Sequence, residues 1–209
     1  MMDSREEILG RLRTQAGEVV PPPVWKSRHA YADLTAQFNA GLSGVGGEVT
    51  RAASFEDALD NLGTLLADLN VQHAAVNHEP PLDSVPFSSR WPEIDWHFAG
   101  ESAGDLKAFC ANADVGISGA DAALAETGSI VVASGPGRSR MVTLLPPVHV
   151  ALVSTACLTS DISTWAAGRS GAMPASLNII SGPSKTADIE QVLAVGVHGP
   201  KRFIVILYD

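Results

Sequence analysis

Continuous apolar runs alternate with helical patterns along the second half of this 209-residue sequence, and this alternation restricts the possible folds more than any other feature. The runs at 130–132, 148–153 and 203–207 are apolar apart from His149. Strands buried on both faces of a parallel sheet have this composition, whereas strands with one face in water alternate. We therefore predict an α/β fold in which helices flank a layered, largely parallel sheet.

The predicted elements follow the same rhythm. Strands are predicted at 74–76, 114–118, 129–134, 148–154, 177–181 and 202–208. Helices are predicted at 3–15, 31–40, 54–70, 120–126, 158–167 and 186–197, with Ser54 as the N-cap of the third helix. The Pro- and Trp-rich segment 77–100 forms either an irregular excursion or two short strands.

Three consecutive prolines divide the chain near its start. Pro21–Pro23 stop any helix, so residues 1–24 are predicted to be a helix followed by a proline-bearing arm, and residues 25–209 the main domain. Such arms often pack on a neighbouring subunit, which makes a homo-oligomer an expectation.

Composition narrows the classes of function. The formal net charge of −9, without a cluster of basic residues, argues against a nucleic-acid partner. No apolar stretch approaches the roughly 18–20 residues that cross a bilayer, and the polar start differs from a signal peptide. We expect a cytoplasmic protein without a membrane span. Cys110 and Cys157 stand far apart, so we expect neither a metal nor an iron–sulfur site in this chain.

The segment 181–190 is the first with candidate site residues. A predicted strand ends near Ile180, and Thr186 is placed to cap the helix that follows. Ser181, Gly182, Ser184 and Lys185, together with backbone N–H groups, can then surround an anion at the helix start. A capped turn with Lys185 in water explains the pattern about equally well.

The segment 118–128 occupies the equivalent position after another predicted strand. Ser118 and Gly119 can approach a ligand closely, and Asp121 is placed to cap a short helix. Glu126 is a candidate general base or nucleophile. Considered alone, a capping Asp121 and a surface Glu126 are the favoured interpretation.

Three further side chains are weaker candidates for site residues. Arg138 can bind a carboxylate or phosphate in bidentate fashion, although a solvated loop is at least as good an interpretation. His149 begins a strand, the end opposite to most sites in parallel sheets, which favours a structural histidine with its hydrogen bonds satisfied. His198 is expected to close the last long helix. We expect the pairs 118–119 and 181–182 to meet around one polar pocket.

Four ordered motifs resemble the lactate-utilization protein C family, whose domain is called LUD. They lie at 119–129, 144–149, 180–190 and 196–200. The resemblance implies a fold of the NagB/RpiA/CoA-transferase-like, Rossmann-like type. It also implies a role in oxidising L-lactate to pyruvate within a three-protein system whose partners carry the iron–sulfur clusters. The chain is then the cluster-free, accessory member, with a small anionic ligand.

Two weaker likenesses keep an alternative open. Ser118–Asp121 is similar to the Asp-Gly-Ala-Asp turn of ribose-5-phosphate isomerases, but with Ser at the first position. Glu126-Thr-Gly128 is similar to the Glu-x-Gly of CoA transferases. The alternative is an independent enzyme of these types, with Glu126 as base or nucleophile and Lys185 or Arg138 holding the anion. A member of the fold that only scaffolds partners is a third hypothesis.

Overall fold

The computed structural model describes residues 4–15, 30–187 and 193–209. Its helices are α1 Ser4–Gln15, α2 Leu34–Gly44, α3 Phe55–Asp68, α4 Phe87–Arg90, α5 Leu106–Asn112, α6 Arg140–Leu144 and α7 Ile162–Gly168. Its strands are β1 Glu48–Ala52, β2 His73–Val76, β3 Asp95–Phe98, β4 Val115–Ser118, β5 Ala122–Leu124, β6 Ser129–Ala133, β7 Val148–Ser154, β8 Leu158–Thr159, β9 Leu177–Ile180, β10 Lys185–Ala187, β11 Leu193–Val195 and β12 Arg202–Tyr208. Short 3₁₀ turns lie at Leu82–Ser84 and Thr155–Cys157.

A six-stranded sheet forms the centre of the molecule, in the order β1-β12-β7-β4-β2-β3. Every neighbouring pair in it is parallel. Two of the three apolar runs lie in its middle, as β7 and β12, which are buried along nearly their whole length. The third run, at 130–132, lies in β6, whose two neighbours are antiparallel and belong to a separate sheet. The α/β prediction with a largely parallel sheet flanked by helices is therefore confirmed.

Two smaller sheets accompany the central one. A four-stranded sheet in the order β8-β5-β6-β9 is mixed, since β5 and β8 are parallel and the other pairs antiparallel. The strands β10 and β11 form an antiparallel pair of their own. Together with α2, the four-stranded sheet packs on the face of the central sheet that carries Ala151, Phe203 and Val205. Helix α3 packs on the opposite face, against Val150, Ile204 and Ile206.

Helix α3 shows how local sequence determines an element. Ser54 accepts a hydrogen bond from the Asp57 amide at 3.1 Å, which satisfies one of the free N–H groups at the helix start. Its apolar stripe is buried at Leu59, Leu62 and Leu66. The predicted cap and helix are therefore confirmed, as are a helix within 3–15 and the strand at 74–76.

Two predicted helices are wrong. Residues 122–124 form the strand β5, because β6 and β8 pair with it and its side chains are buried on both faces. Tertiary pairing therefore overrides the helix propensity of this Ala-rich stretch. Residues 185–187 and 193–195 pair as strands instead of forming a helix over 186–197. Residues 188–192 of that prediction lie outside the described part of the chain.

Other expectations have mixed outcomes. The segment 77–100 holds a 3₁₀ turn, α4 and the single strand β3, which joins the edge of the central sheet beside β2. The prolines at 21–23 lie outside the described residues, so the arm and its homo-oligomer stay predictions. Within α1, Ile8 and Leu12 are each more than half exposed. None of the helices in the described residues is long and apolar enough to cross a membrane.

Candidate functional site

Several of the predicted site residues lie in two polar regions, which are found at opposite strand ends of the central sheet. The first, the carboxyl-end cluster, consists of Asn77, Glu79, Gly119, Asp121 and Arg138. It lies where β2 and β4 end. The second, the serine pocket, lies at the amino ends of β7 and β12.

The carboxyl-end cluster occupies a crevice that the topology creates. Adjacent strands β2 and β4 are followed by connections that lead in opposite directions, from β2 to β3 at the sheet edge and from β4 to β7 towards the centre. In open α/β sheets such a reversal leaves a crevice at the strand carboxyl ends, where ligands commonly bind. In this protein, the largely buried side chains of Glu79, Asp121 and Arg138 lie at these strand ends.

Arg138 stands between two carboxylates in this cluster. Its Nε lies 2.6 Å from Glu79 Oε2, an ion pair in which the N–H is not well aligned with the carboxylate. Its two terminal nitrogens bind the carboxylate of Asp121, with Nη1 at 3.2 Å from Oδ1. The backbone N–H of Gly119 donates to Glu79 Oε1 at 3.0 Å. Arg138 is therefore engaged by protein carboxylates and not presented to a ligand's anion.

Asp121 and Asn77 tie the same cluster to neighbouring backbone. Asp121 accepts a hydrogen bond from the Ala133 amide at 2.8 Å, and Asn77 accepts one from the Ser139 amide at 2.9 Å. The predicted role of Asp121 as a helix cap is wrong, because the segment it would cap is a strand. Its carboxylate instead fixes the loop that carries Arg138.

Burial sets the electrostatics of the cluster. Burial raises the pKa of Glu79, and the Arg138 charge and the Gly119 amide oppose that rise. The pKa of Arg138 is also raised, because its pairing with Asp121 and Glu79 outweighs the opposing effect of burial. Two carboxylates and one guanidinium give a formal charge of −1, which disfavours an anionic ligand. Sequence reasoning missed Glu79, although a Glu three residues after the predicted strand 74–76 was an available signal.

The serine pocket is a cavity of about 220 Å³. This is below the roughly 300–1,000 Å³ of pockets for drug-sized ligands and suits a molecule of few heavy atoms. Its fully buried lining residues are Thr143, His149 and Phe203. Its polar rim is formed by Ser181, Ser184 and His198.

Close contacts between loops shape this rim. Ser184 donates its backbone N–H to Pro200 O at 2.8 Å and accepts from the Gly196 amide at 2.9 Å, which holds the 181–184 turn against the 196–200 turn. Gly182 has φ +102° and no room for a side chain, since an added Cβ would lie 2.9 Å from a Val45 methyl group. His198 lies on the 196–199 bend, so the expectation that it closes a helix is wrong.

Three hydroxyl groups connect the rim to the interior. Ser181 Oγ lies 2.6 Å from Ser129 Oγ, which lies 2.7 Å from Thr127 Oγ1. Ser129 is buried and Ser181 is exposed at the pocket. The row of hydroxyls can orient one O–H towards a ligand.

His149 joins the two regions through Ser118. Its Nε2 lies 2.9 Å from Ser118 Oγ, and its ring stacks on Phe203 with centroids 5.1 Å apart. The Nδ1 atom is buried and has no hydrogen-bond partner among the described residues. Complete burial lowers the pKa of His149 to about 3, so the ring is neutral near pH 7. The expected structural histidine is thus only half satisfied.

The two Ser-Gly pairs do not line one shared pocket. Ser181 and Gly182 line the serine pocket, whereas Ser118 reaches it only through His149 and Gly119 binds Glu79. The reason is that β9, which precedes Ser181, belongs to the four-stranded sheet and not to the central one. The expectation that both pairs follow adjacent strands of one sheet is therefore wrong.

The remaining predicted site residues lie apart. Lys185 donates its ammonium to Val45 O at 2.6 Å. Thr186 lies within β10, so it is not a helix cap. Glu126 follows β5 at the end opposite to Asp121, and its backbone N–H donates to Ser160 O at 2.9 Å. The length of β5 therefore separates Glu126 from the carboxyl-end cluster. This arrangement does not favour the alternative of an independent enzyme that uses Glu126 together with Arg138.

The two thiols are separate and weakly acidic. Burial raises the pKa of Cys110 to about 11 and also raises the pKa of Cys157. Within the described residues, no group of three or more His, Cys, Asp or Glu side chains is placed to hold a metal ion.

Comparison with known proteins identifies the family. Residues 35–208 match the model of the LUD domain. Lactate utilization protein C 1 of Bacillus mycoides (strain KBAB4) is 29% identical over 100% of this chain and 98% of that protein. Lactate utilization protein C of Halalkalibacterium halodurans is 34% identical over 77% of this chain and 71% of that protein.

A solved structure shares the fold. The crystal structure of a duf162 family protein from Deinococcus radiodurans superposes with a TM-score of 0.60 and 19% identity, covering 87% of this chain and 99% of that one. The resemblance found in the four sequence motifs is thereby confirmed, and this chain belongs to the LUD domain family.

Proposed function

We propose that this protein takes part in lactate utilization in the cytoplasm, as the cluster-free accessory component of a system that oxidises L-lactate to pyruvate. The observation that carries the proposal is the full-length likeness to lactate utilization protein C 1 of Bacillus mycoides, which spans 100% of this chain and 98% of that protein. The ligand in this proposal is a small carboxylate bound in the serine pocket.

The chemistry of the serine pocket supports a carboxylate ligand. Ser181, Ser184 and the His198 ring bear N–H or O–H groups that can donate to carboxylate oxygens. If the hydroxyl row donates from Thr127 through Ser129 to Ser181, the Ser181 proton is directed to the ligand. The carboxyl-end cluster, with its net negative charge, is the less suitable of the two regions for an anion.

The proposal places the iron–sulfur clusters on partner proteins. Cluster ligands are thiolates. The common clusters are held by four Cys thiolates, and this sequence contains two cysteines. The electron transfer in lactate oxidation is therefore assigned to the partners.

A genetic experiment tests the role. Deleting the gene should abolish growth on L-lactate and leave growth on pyruvate intact. Complementation with the wild-type gene should restore growth on lactate, and the Ser181→Ala/Ser184→Ala double variant should restore it poorly. A Ser43→Ala variant, which changes an exposed serine on α2, is the matched control and should complement fully. Normal growth of the deletion strain on lactate would remove the proposal.

A biochemical experiment tests the partners. Tagged protein purified from lactate-grown cells should bring down proteins with the absorbance and electron paramagnetic resonance signals of iron–sulfur clusters. The same preparation from a strain in which the genes of the co-purifying cluster proteins are deleted should be free of these signals. Purification without any cluster-bearing protein would contradict this part of the proposal.

A further inference from the structure

We propose that a cavity at the carboxyl ends of β2 and β3 binds organic cations that carry a guanidinium group. This cavity, which we call the edge pocket, has a volume of about 270 Å³. The lining residues that determine its chemistry are His78, Asp83, Val85, Pro86, Phe98 and Glu101. None of its lining residues belongs to the carboxyl-end cluster or to the serine pocket. The edge pocket is therefore a separate site, and its ligand is independent of the proposed role in lactate utilization.

The edge pocket lies where the sheet topology favours ligand binding. His78 follows β2 by two residues, and Phe98 is the last residue of β3. The two strands are parallel neighbours, so their carboxyl ends meet at one edge of the central sheet. In open α/β sheets, ligands bind outside the carboxyl ends of the strands. The position of the cavity is thus one at which this class of sheet binds ligands.

The charge of the edge pocket favours a cation. Two of its lining residues, Asp83 and Glu101, are carboxylates, and with histidine counted as neutral they give the lining a formal charge of −2. Glu101 Oε1 lies 3.7 Å from Nδ1 of His78. Among the described residues, no Lys or Arg side chain forms an ion pair with either carboxylate, whereas Glu79 and Asp121 share Arg138. The edge pocket therefore offers negative charge that a bound cation can neutralise.

An aromatic wall adds attraction for a cation. Phe98 is partly exposed and lines the edge pocket. Cations bind over the face of an aromatic ring because of its quadrupole. The rings of Phe87 and Trp96 hold the Phe98 ring in place, with centroids 5.9 Å and 6.4 Å from its own. Val85 and Pro86 add apolar surface that can contact the alkyl chain of a ligand.

The walls of the edge pocket are ordered before a ligand binds. Asp83 donates its backbone N–H to Glu79 O at 3.0 Å, which fixes the turn that carries its carboxylate. On the other wall, Glu101 donates its backbone N–H to Phe98 O at 3.1 Å, and Ser102 Oγ accepts from the Phe98 amide at 2.9 Å. Because both turns are already formed, binding costs less conformational entropy.

These properties favour a guanidinium group over other cations. In the part of the chain that the structure describes, no three His, Cys, Asp or Glu side chains are placed to hold a metal ion. A guanidinium is planar, is more weakly hydrated than an ammonium, stacks on aromatic rings and donates two parallel N–H groups to a carboxylate. The cavity is smaller than the roughly 300–1,000 Å³ of pockets for drug-sized ligands, so it suits a guanidinium on a short alkyl chain. Free alkylguanidines and the arginine side chains of peptides share this chemistry.

Nuclear magnetic resonance titration of the nitrogen-15-labelled full-length protein tests the site, with butylguanidinium as the probe at pH 8 and low salt. The backbone amide signals of Phe98 and Glu101 should shift and saturate. Butylurea, which has the same shape without the charge, should bind about tenfold more weakly, and butylammonium should lie between the two. Equal affinities for butylguanidinium and butylurea, tighter binding of butylammonium, or no saturating shift at these amides would overturn the proposal.

A matched pair of double variants separates the two carboxylates of the pocket from the general negative charge of the protein. Asp83→Asn/Glu101→Gln should weaken the binding of butylguanidinium about three- to tenfold. The control Glu93→Gln/Asp95→Asn removes two exposed carboxylates outside the edge pocket and changes the net charge equally, so the affinity should stay the same. All four side chains are exposed, so both variants should fold like the wild type. An equal loss of affinity in the two variants, or no loss in the first, would contradict the proposal.

Two probes distinguish the sources of the guanidinium group. Acetyl-Gly-Arg-Gly amide presents the group on a peptide, whereas butylguanidinium presents it on a free small molecule. Tighter binding of the peptide would assign the edge pocket to an arginine of a partner protein, and tighter binding of butylguanidinium would assign it to a free small molecule. Both results support a guanidinium site, and binding of neither probe would remove it.

Discussion

Replacing Arg138 should expose how much of the fold depends on the carboxyl-end cluster. The Arg138→Ala variant leaves Glu79 and Asp121 without their cation, although their side chains are only 7% and 23% exposed. Removing one partner of a buried ion pair destabilises a protein by about 3–5 kcal/mol, because the remaining charge is both desolvated and unpaired. For a chain of this length, such a loss lowers the melting temperature by roughly 6–20 °C.

The loss of stability in the Arg138→Ala variant should depend on pH in a defined direction. Burial raises the pKa of Glu79 above its ordinary value of 4.5. The folded state therefore holds the Glu79 proton more tightly than the unfolded state, and stability falls as the pH rises from 4.5 through the folded pKa. Without Arg138 the pKa of Glu79 in the folded state rises further, so stability falls over a wider range of pH. The difference in free energy of unfolding between the wild type and Arg138→Ala should be largest near pH 7 and should shrink towards pH 4.5.

Urea denaturation at pH 7 and pH 5 measures both effects. Arg138→Lys keeps the charge but loses the forked geometry, so its loss should lie between those of the wild type and Arg138→Ala. Arg51→Ala is the control, because Arg51 and Asp209 form a half-exposed pair that is worth about 1 kcal/mol or less. A loss below about 1 kcal/mol for Arg138→Ala at pH 7, or a loss that grows on acidification, would refute the reasoning.

Two further predictions concern single residues. The pKa of His149 is lowered from 6.5 to about 3 in the folded state, so the unfolded chain takes up a proton first and stability falls as the pH drops below 6.5. Between pH 6.5 and pH 5 this should destabilise the wild type by about 2 kcal/mol relative to a His149→Gln variant, measured by urea denaturation; parallel curves for the two proteins would contradict it. Gly128 has φ +63°, and an added Cβ would lie 1.9 Å from the Leu42 backbone nitrogen. Gly128→Ala should therefore lower the free energy of unfolding by at least about 2 kcal/mol, measured by thermal or urea denaturation. The control Gly44→Ala adds a methyl group that meets nothing within 4 Å, so it should be neutral or slightly stabilising. Similar melting temperatures for the two variants would show the argument to be wrong.

Elements whose signals are local could be predicted from the sequence. Helix α3 has its own cap at Ser54 and its own apolar stripe, and both are present in the structure. The strands β7 and β12 are apolar along nearly their whole length, as expected for strands inside a parallel sheet. The motifs that carry the family resemblance are likewise read directly from the chain.

Elements that depend on distant partners were predicted incorrectly. An Ala-rich stretch at 122–124 has a high helix propensity, yet it forms a strand because it pairs with β6 and β8. The apolar spacing after Thr186 fits a helix as well, yet 185–187 pair with 193–195. In both places the local helix propensity stabilises the chain less than strand pairing with distant segments does. The periodicity of the sequence does not reveal those segments.

The candidate site shows the same division. Glycine and serine at 118–119 and 181–182 marked two turns with candidate site residues, but the sequence did not show that these turns lie at opposite strand ends of the central sheet. Glu79 enters the carboxyl-end cluster because β2 lies beside β4, and His149 enters the serine pocket because β7 lies between β4 and β12.

The order of residues along this chain thus determined its fold class, its capped helix, its buried strands and its family. Which strands are neighbours, which carboxylates bind Arg138 and which nitrogen of His149 has no partner among the described residues were decided only by the tertiary structure. The physical reason is that burial and strand pairing bring together residues that are far apart in the chain, and the sequence pattern does not show which residues will meet.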